Sequence, residues 1–251
     1  MAETIELNEI SALEQVRLER VMSIMPRGAA TILEIGARHG AMTRRLAEIC
    51  QDVTALDLKK PAFRIDGVTN VQGDVRRLQF LDNSFECVVC TEVLEHVPDF
   101  EAAAKEIARV AKSYVLIGVP YRQDTRAGRM TCVHCGKINP PFGHINTFDE
   151  AKIKSLFPGL KISLLEYLSK NRERTNFLST WLEDFAGNPY GTYDQEEPCI
   201  ACGGKLEEPV RLSFVRRVAG ALGIRLYHLQ YRFNRPRATW MLVLFEKKHF
   251  Q

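Results

Sequence analysis

The stretch that decides the fold runs Thr31-Ile-Leu-Glu-Ile-Gly-Ala-Arg-His-Gly40-Ala-Met-Thr-Arg-Arg-Leu-Ala47. Its short apolar run before Gly36 is typical of a strand covered on both faces. Gly36 and Gly40 permit a tight turn and close packing of the following helix on that strand. Asp57 ends a second apolar run, 21 residues after Gly36, where an acid can accept hydrogen bonds from ribose hydroxyls. We therefore predict a site for an adenosine-containing cofactor.

Further strands alternate with a helix along the chain. The pattern predicts strands at 68–72, 85–91 and 114–120, and a helix at 100–111 whose apolar residues repeat at helical spacing. Gly73-Asp74-Val75 places a second acid directly after the first of these strands. Strands that alternate with helices indicate an α/β fold with a parallel, Rossmann-like sheet joined by right-handed crossovers.

Several motifs in this order resemble those of class I S-adenosylmethionine-dependent methyltransferases. They are Glu34-Ile-Gly-Ala-Arg-His-Gly40, Asp57, Gly73-Asp74 and Thr91-Glu-Val-Leu-Glu-His-Val97. The resemblance runs from about Ile32 to Val119 and resumes at Gly143–Phe148. It is similar to the branch that contains quinone and other small-molecule methyltransferases. It implies a seven-stranded, mostly parallel sheet with helices on both faces and an antiparallel last strand near 239–245.

The resemblance also implies which residues hold the cofactor. Glu34, Gly36 and Gly40 would shape the methionine pocket, and Asp57 would hold the ribose. Asp74 would meet the adenine amino group, with Thr91 and Glu92 as the floor beside the methionine. Ala37, Arg38, Leu58 and Val75 complete the predicted cofactor set. Arg38 stands where the family usually has a glycine, so either its side chain points outward from the turn or cofactor binding is weakened.

Two long segments, 122–145 and 170–210, lie outside the minimal fold, and each carries a cysteine pair. The pairs are Cys132-Val-His-Cys135-Gly and Cys199-Ile-Ala-Cys202-Gly. Glycine after each pair allows the tight turn that points two sulfurs at one ion. We predict one structural Zn²⁺ bound by Cys132, Cys135, Cys199 and Cys202, which makes the two insertions a zinc-stapled cap. Free thiols, a redox pair or half-sites shared between subunits are the alternatives. Cys50, Cys87 and Cys90 are interpreted as small core residues.

The acceptor side of the site is less clearly marked. His144, on a loop near the expected crevice, is the candidate general base, and a structural histidine there is an equal alternative. Tyr121 and Glu95 are lesser candidates, and some methyltransferases need only the positioning of their substrates.

Apolar residues recur at helical spacing in the second insertion, and they are Phe177, Leu178, Trp181, Leu182 and Phe185. Their helix is expected to pack on the core, and an aromatic cap over an acceptor pocket is the alternative.

Charge is unevenly distributed. The chain has a net charge of +3, and the segment from Pro209 to Phe245 holds seven arginines and no acid. A solvated basic face is the favoured interpretation of residues 209–237. Peripheral contact with an anionic membrane, or recognition of a phosphorylated acceptor, is the alternative.

The composition fits a single 251-residue methyltransferase domain with insertions. The first six residues carry acids where a signal peptide would carry basic residues, and no apolar run is long enough to span a bilayer, so we expect a cytoplasmic protein. The predicted function is S-adenosylmethionine-dependent methylation of a small molecule, with saccharides and lipid-linked intermediates among the candidates. An RNA or protein methyltransferase and a non-catalytic cofactor-binding scaffold are the alternatives, although nucleic acid is not the expected partner. The oligomeric state is left open.

Overall fold

A computed structural model describes residues 11–247 of the chain, so the acidic amino terminus on which the signal-peptide argument rests lies outside the described residues. The chain separates into two compact units. The first comprises Met1–Tyr121, Phe148–Ser169 and Trp240–Gln251, and the second comprises Arg122–Thr147 and Lys170–Thr239. The second unit therefore contains both predicted insertions and continues some 30 residues beyond the second one.

The main sheet has seven strands in the order β3-β2-β1-β4-β5-β9-β8. Its strands are β1 (Ile32–Ile35), β2 (Val53–Asp57), β3 (Val68–Gln72), β4 (Phe85–Thr91), β5 (Ala111–Pro120), β8 (Leu160–Asn171) and β9 (Arg237–Lys247). The pairs among β1 to β5 are parallel, and β9 is antiparallel to β5. The predicted Rossmann-like, mostly parallel sheet is confirmed. β9 extends beyond the predicted 239–245 at both ends, and β5 begins before the predicted residue 114.

The first unit has an apolar cluster on each face of the sheet. One contains Leu33 and Cys90 together with α3 (Phe100–Val110) and α4 (Glu150–Leu156). The other contains Ile32 and Cys87 together with α1 (Ala12–Ile24) and α2 (Ala41–Ala47). Because neighbouring strand residues face opposite sides, Cys87 and Cys90 enter different clusters, as predicted. Cys50 is buried in the second cluster, so all three are core residues.

Helix α1 begins at a capped end, since the Ser11 hydroxyl accepts a hydrogen bond from the Glu14 N–H. Its apolar residues are unevenly covered. Leu18 and Val21 are buried, whereas Leu13 and Val16 are exposed. Only the carboxyl-terminal half of α1 therefore packs on the sheet.

The second unit combines a short ribbon with a helix pair. The ribbon consists of β6 (Met130–Thr131) and β7 (Ile138–Asn139), and the helices are α5 (Phe177–Ala186) and α6 (Phe214–Phe233). In α5 the prediction that the aromatic stripe packs on a core is wrong: Phe177, Trp181 and Phe185 are exposed, and Ser179, Thr180 and Ala186 are buried.

The α5–α6 contact explains that difference. A Cβ added at Gly223 would lie 2.7 Å from Glu183 Cγ and 3.1 Å from the Ser179 carbonyl oxygen. A Cβ at Gly220 would lie 3.2 Å from the Ala186 Cβ. The helices approach closely through small residues, and this leaves the large side chains of both on the outside. In the stretch that the structure describes, every helix is too short or too polar to cross a membrane.

Candidate cofactor and metal sites

The turn after β1 has no room for a side chain at either of its two glycines. Gly36 and Gly40 have φ angles of 86° and 83°, which favour glycine. A Cβ at Gly36 would lie 2.3 Å from Val93 Cγ2, and a Cβ at Gly40 would lie 2.6 Å from the Phe63 ring. The Gly36 N–H donates to the Leu56 carbonyl at 2.8 Å, which fixes the turn against the end of β2. Both glycines are thus required by this backbone.

Arg38 adopts the backbone conformation that a glycine would take, with a φ of 39°. The residue is exposed, so the left-handed turn forms with its side chain on the outside. Its N–H donates to Asp57 Oδ2 at 2.9 Å, and the Lys59 N–H donates to Oδ1 at 3.4 Å. Asp57 therefore holds the turn while it stands at the carboxyl end of β2. Leu58 beside it is exposed, and Ala37 is buried.

Glu34 is the buried acid of this site, at 3% exposure. The Thr43 hydroxyl on α2 donates to its Oε2 atom. Burial raises the pKa of Glu34 to about 7; the Thr43 hydrogen bond works against this shift, and the nearby Asp57 charge adds to it. Near neutral pH the carboxyl is therefore partly protonated in the cofactor-free fold, and a cationic neighbour such as the ammonium of a bound amino acid would drive it to the carboxylate.

Glu34→Gln is expected to stabilise the cofactor-free fold at alkaline pH. Folding raises the pKa from 4.5 to about 7, so the native state holds this proton more tightly than the unfolded state. The resulting stability is fully present below about pH 4.5 and is lost as the pH rises through 7. Glutamine keeps an acceptor for Thr43 and cannot ionise, so at pH 8 the variant should gain up to about 3 kcal/mol of unfolding free energy. Chemical denaturation from pH 5 to pH 8 measures this.

Glu101→Gln is the matched control, because Glu101 is an exposed residue of α3 that undergoes the same chemical change. Its unfolding free energy should stay within about 0.5 kcal/mol of wild type at each pH. If the curves for Glu34→Gln and wild type run parallel from pH 5 to pH 8, Glu34 does not have the raised pKa.

Asp74 follows β3 and is held by its own loop. Arg76 pairs with it, with Nη2 2.6 Å from Oδ2, and the Arg76 N–H donates to Oδ1 at 2.9 Å. The Arg76 guanidinium lowers the pKa of Asp74. Val75 between them is buried. The carboxylate is thus ionised and oriented at the edge where the resemblance places an adenine amino group.

Thr91 and Glu92 end β4, and their surroundings include a residue that sequence reasoning missed. Glu92 has a φ of 55°, and its N–H donates to the Gly118 carbonyl at 2.9 Å. Its carboxylate pairs with Arg17 of α1, whose guanidinium lies 5.3 Å from the centre of the Trp240 ring. Arg17 and Glu92 are 75 residues apart, so no local pattern could have identified the pair. Helix α1 thereby contacts the predicted cofactor floor.

His144, the candidate base, lies in the second unit, whereas all the predicted cofactor residues lie in the first. Its Nδ1 atom is 2.6 Å from Gln123 Oε1. In that arrangement Nδ1 carries the proton, and Nε2 of the neutral ring is the atom that could accept another.

The two lesser candidates lie in the first unit. Tyr121 donates its hydroxyl to Glu150 at 2.8 Å. Glu95 is fully buried, and burial raises its pKa to about 8. Neither arrangement by itself marks a general base, because Tyr121 is engaged with a carboxylate and Glu95 lies away from solvent.

Four predicted metal ligands come together within the second unit. The sulfurs of Cys132, Cys135, Cys199 and Cys202 all lie within 4.8 Å of one another. Cys132 and Cys202 are 3.7 Å apart, and Cys135 and Cys199 are 3.6 Å apart, too far for disulfides at about 2.05 Å. Tetrahedral bonds of about 2.3 Å to one zinc ion would place the sulfurs about 3.8 Å apart. The donor set and its spacing therefore fit a four-coordinate Zn²⁺.

Both cysteine loops have the same backbone. In the first, the Cys132 N–H donates to the Lys137 carbonyl and the Gly136 N–H donates to the Cys132 carbonyl, each at 2.9 Å. In the second, Cys199 and Gly203 repeat this pattern at 2.8 and 2.9 Å, with Gly204 in the place of Lys137. Gly136 and Gly203 have φ angles of 74° and 70°. Two equivalent knuckles thus present their thiols to one point.

The surroundings of Cys199 favour its thiolate. Burial raises the pKa of Cys199, but hydrogen bonds from the backbone N–H groups of Cys202 and Ala201 and from the Asn139 side chain outweigh burial and lower the pKa to about 6. Asn139 also accepts the Ile200 N–H at 2.8 Å, which ties the ribbon to the second knuckle. A Cβ added at Gly204 would lie 2.9 Å from the His134 ring. His134 therefore packs beside the cluster and is not one of its four donors.

Comparison with known proteins finds a family that matches part of the first unit. Residues 33–117 match the family described as methyltransferase domain. Over these residues the chain is similar to a methyltransferase domain. A ubiquinone biosynthesis O-methyltransferase of Xanthomonas oryzae pv. oryzae is 30% identical to it over 113 residues, which are 41% of this chain and 47% of the relative. The chain thus spans about half the length of that curated relative.

Solved structures share the fold of this chain. The YcgJ protein of Bacillus subtilis superposes with a TM-score of 0.57 at 16% identity, covering 94% of this chain and 99% of that one. The 1,6-didemethyltoxoflavin-N1-methyltransferase of Burkholderia thailandensis gives a TM-score of 0.51 at 15% identity, covering 96% and 80%. At such low identity these likenesses establish the fold alone.

Proposed function

We propose that the chain transfers a methyl group from S-adenosylmethionine to a small-molecule acceptor. The observation that carries the proposal is the constellation at the carboxyl ends of β1 and β2: a turn with no room for side chains at its two glycines, the acid Asp57 bonded to that turn, and the buried acid Glu34. Ligands of open α/β sheets bind at this edge. The match to the methyltransferase domain family supports the same conclusion.

Each residue of the constellation has a definite task in the proposal. Asp57 accepts hydrogen bonds from ribose hydroxyls, Asp74 accepts one from the adenine amino group, and Glu34 faces the cationic end of the methionine. The glycine turn lets the backbone approach the ligand closely. Thr91 and Glu92 form the floor, with Glu92 held by Arg17. When bound, S-adenosylmethionine supplies an electrophilic sulfonium methyl group.

The acceptor is proposed to be a small molecule because the curated relative named above is described as an O-methyltransferase of ubiquinone biosynthesis. Saccharides and lipid-linked intermediates are the classes that we favour. His144 is proposed to take the proton of an acceptor hydroxyl or amine on Nε2, while Gln123 holds Nδ1 and orients the ring.

We propose further that the four cysteines bind one structural Zn²⁺. Four thiolates leave no open coordination position, so the ion would order the second unit and take no part in methyl transfer. The proposed site of action is the cytoplasm, where reducing conditions keep these thiols available for the metal.

The test is methyl transfer from S-adenosylmethionine labelled in its methyl group, in the presence of a fractionated metabolite extract. Label should appear in the small-molecule fraction and be absent with heat-denatured enzyme. Label in the RNA or protein fraction would instead favour a macromolecular acceptor. Cofactor binding without any labelled product across all fractions would favour a non-catalytic scaffold.

His144→Gln is expected to lower the rate of transfer by about 10²- to 10⁴-fold, because glutamine cannot accept the proton. Cofactor affinity should be unchanged, since the cofactor residues lie in the other unit. His228→Gln, the same change at an exposed histidine of α6, is the control and should retain full activity. An unchanged rate with His144→Gln would assign that histidine a structural role.

A further inference from the structure

The exposed face of α6 is apolar over most of its length. Val218, Leu222 and Leu229 recur at intervals of four and seven, so they share one side of the helix. They are 42%, 48% and 55% exposed. The stripe is extended at the two ends of the helix by Phe214, Val215 and Phe233. The opposite side, with Ala219, Gly220 and Gly223, is buried. Large exposed apolar faces of this kind mark interaction sites.

The same helix is strongly basic. Arg216, Arg217, Arg225 and Arg232 lie within it, and no acid occurs between Pro209 and Phe245. Arg225 and Arg232 fall on the same side as Leu222 and Leu229, at intervals of three and four. An amphipathic helix with arginines beside exposed leucine, valine and phenylalanine is typical of segments that lie in the interface of an anionic membrane.

A basic cleft of about 380 Å³ lies at the carboxyl end of α6. Within the described part of the chain, three of its lining residues are cationic and none is acidic. The lining residues are Lys170, Asn171, Arg172, Tyr231, Arg232 and Pro236. Arg172 donates to the Arg232 carbonyl at 3.3 Å and so covers the end of the helix. Guanidinium and ammonium groups in a cleft of this size suit a phosphate group.

From these observations we infer that α6 docks the protein on an anionic phospholipid surface, with its apolar stripe among the acyl chains and its arginines on lipid phosphates. Charge decides against a second copy of the chain as the occupant, because two such segments would bring seven arginines against seven with no acid between them. A nucleic acid would satisfy the arginines and leave the apolar stripe facing phosphates. The inference is independent of the proposed function.

The test is flotation of the full chain with vesicles of phosphatidylcholine alone or mixed with phosphatidylglycerol. Flotation is expected with the mixed vesicles at low salt, and it should weaken as salt is raised. Leu222→Glu/Leu229→Glu should reduce partitioning at least about tenfold, because it removes apolar contact and adds repulsion. Arg225→Gln/Arg232→Gln should reduce it by about fivefold for each arginine.

Matched controls make the same chemical changes in the first unit. Leu13→Glu/Leu81→Glu alters two exposed leucines, and Arg27→Gln/Arg64→Gln alters two exposed arginines. Both controls should float as the wild type does. Because the α6 side chains are half-exposed, the variants should keep wild-type circular dichroism and cofactor affinity, which shows that they are folded.

Any of four results would overturn the inference. The wild type could fail to float with anionic vesicles at low salt, or the leucine variant could float as well as wild type. Sedimentation could also show a wild-type dimer that the leucine variant dissociates, which would make a second copy the occupant. Salt-sensitive binding to RNA that the leucine variant leaves intact, without flotation, would favour a nucleic acid.

Discussion

Replacing Asp57 by alanine is expected to weaken binding of S-adenosylmethionine or S-adenosylhomocysteine by about 1.5–3 kcal/mol, roughly 10- to 150-fold, because a charged acceptor for the ribose hydroxyls is lost. The substitution also removes the acceptor of the Arg38 N–H, a hydrogen bond of 2.9 Å that holds the glycine turn. Both effects act in the same direction. Titration calorimetry measures the change in affinity.

Asp66→Ala is the control for this experiment, because Asp66 is an exposed acid of the first unit and the change in net charge is the same. Its affinity for cofactor should match that of the wild type. Equal affinities for the wild type and Asp57→Ala would show that the acid at the end of β2 does not hold the ribose.

Cys199→Ser is expected to abolish stoichiometric zinc binding and to loosen the second unit. Metal binding and folding are coupled where thiolates are the ligands. The apolar cluster beside the site is small: Met130, Cys132, Cys199 and Leu206, with Tyr193 against it. Zinc should fall from about one ion per chain to near zero, and the second unit should become sensitive to protease. The first unit has two apolar clusters of its own and should still bind cofactor.

Two companion variants sharpen the zinc experiment. Cys135→Ser should behave like Cys199→Ser, because each knuckle supplies half of the ligands. His134→Ser changes a neighbour of the cluster that is not one of the four donors, and it should keep its zinc. Full zinc retention after mutation of either cysteine pair would contradict a single four-cysteine site, and so would an absence of zinc in wild-type protein purified without chelators.

The sheet and the cysteine cluster could be predicted from sequence because both depend on local patterns. Short apolar runs and the glycines that end them define the strands. Each Cys-x-x-Cys-Gly segment specifies its own knuckle, as the matching bonds at Cys132 and Cys199 show. The prediction that the two knuckles meet, although 63 residues separate them in the sequence, rested only on the preference of zinc for four ligands.

The packing of the second unit could not be predicted in the same way. Helical spacing of Phe177, Trp181 and Phe185 defines a face of α5, and it does not say whether another element covers that face. Instead, the glycines of α6 let the backbones of α5 and α6 approach closely. A pattern of apolar residues does not reveal such a contact. The Arg17–Glu92 ion pair could not be predicted for a related reason, since its two charged residues lie in segments that are far apart in the sequence.

The most direct test of the cofactor site is titration calorimetry of the wild-type chain with S-adenosylhomocysteine, the demethylated product. We predict saturable binding at one site per chain, weakened at least about tenfold by Asp57→Ala and unaffected by Asp66→Ala. An absence of binding by protein whose first unit is folded, as judged by circular dichroism, would contradict the assignment of the β1–β2 constellation as an S-adenosylmethionine site.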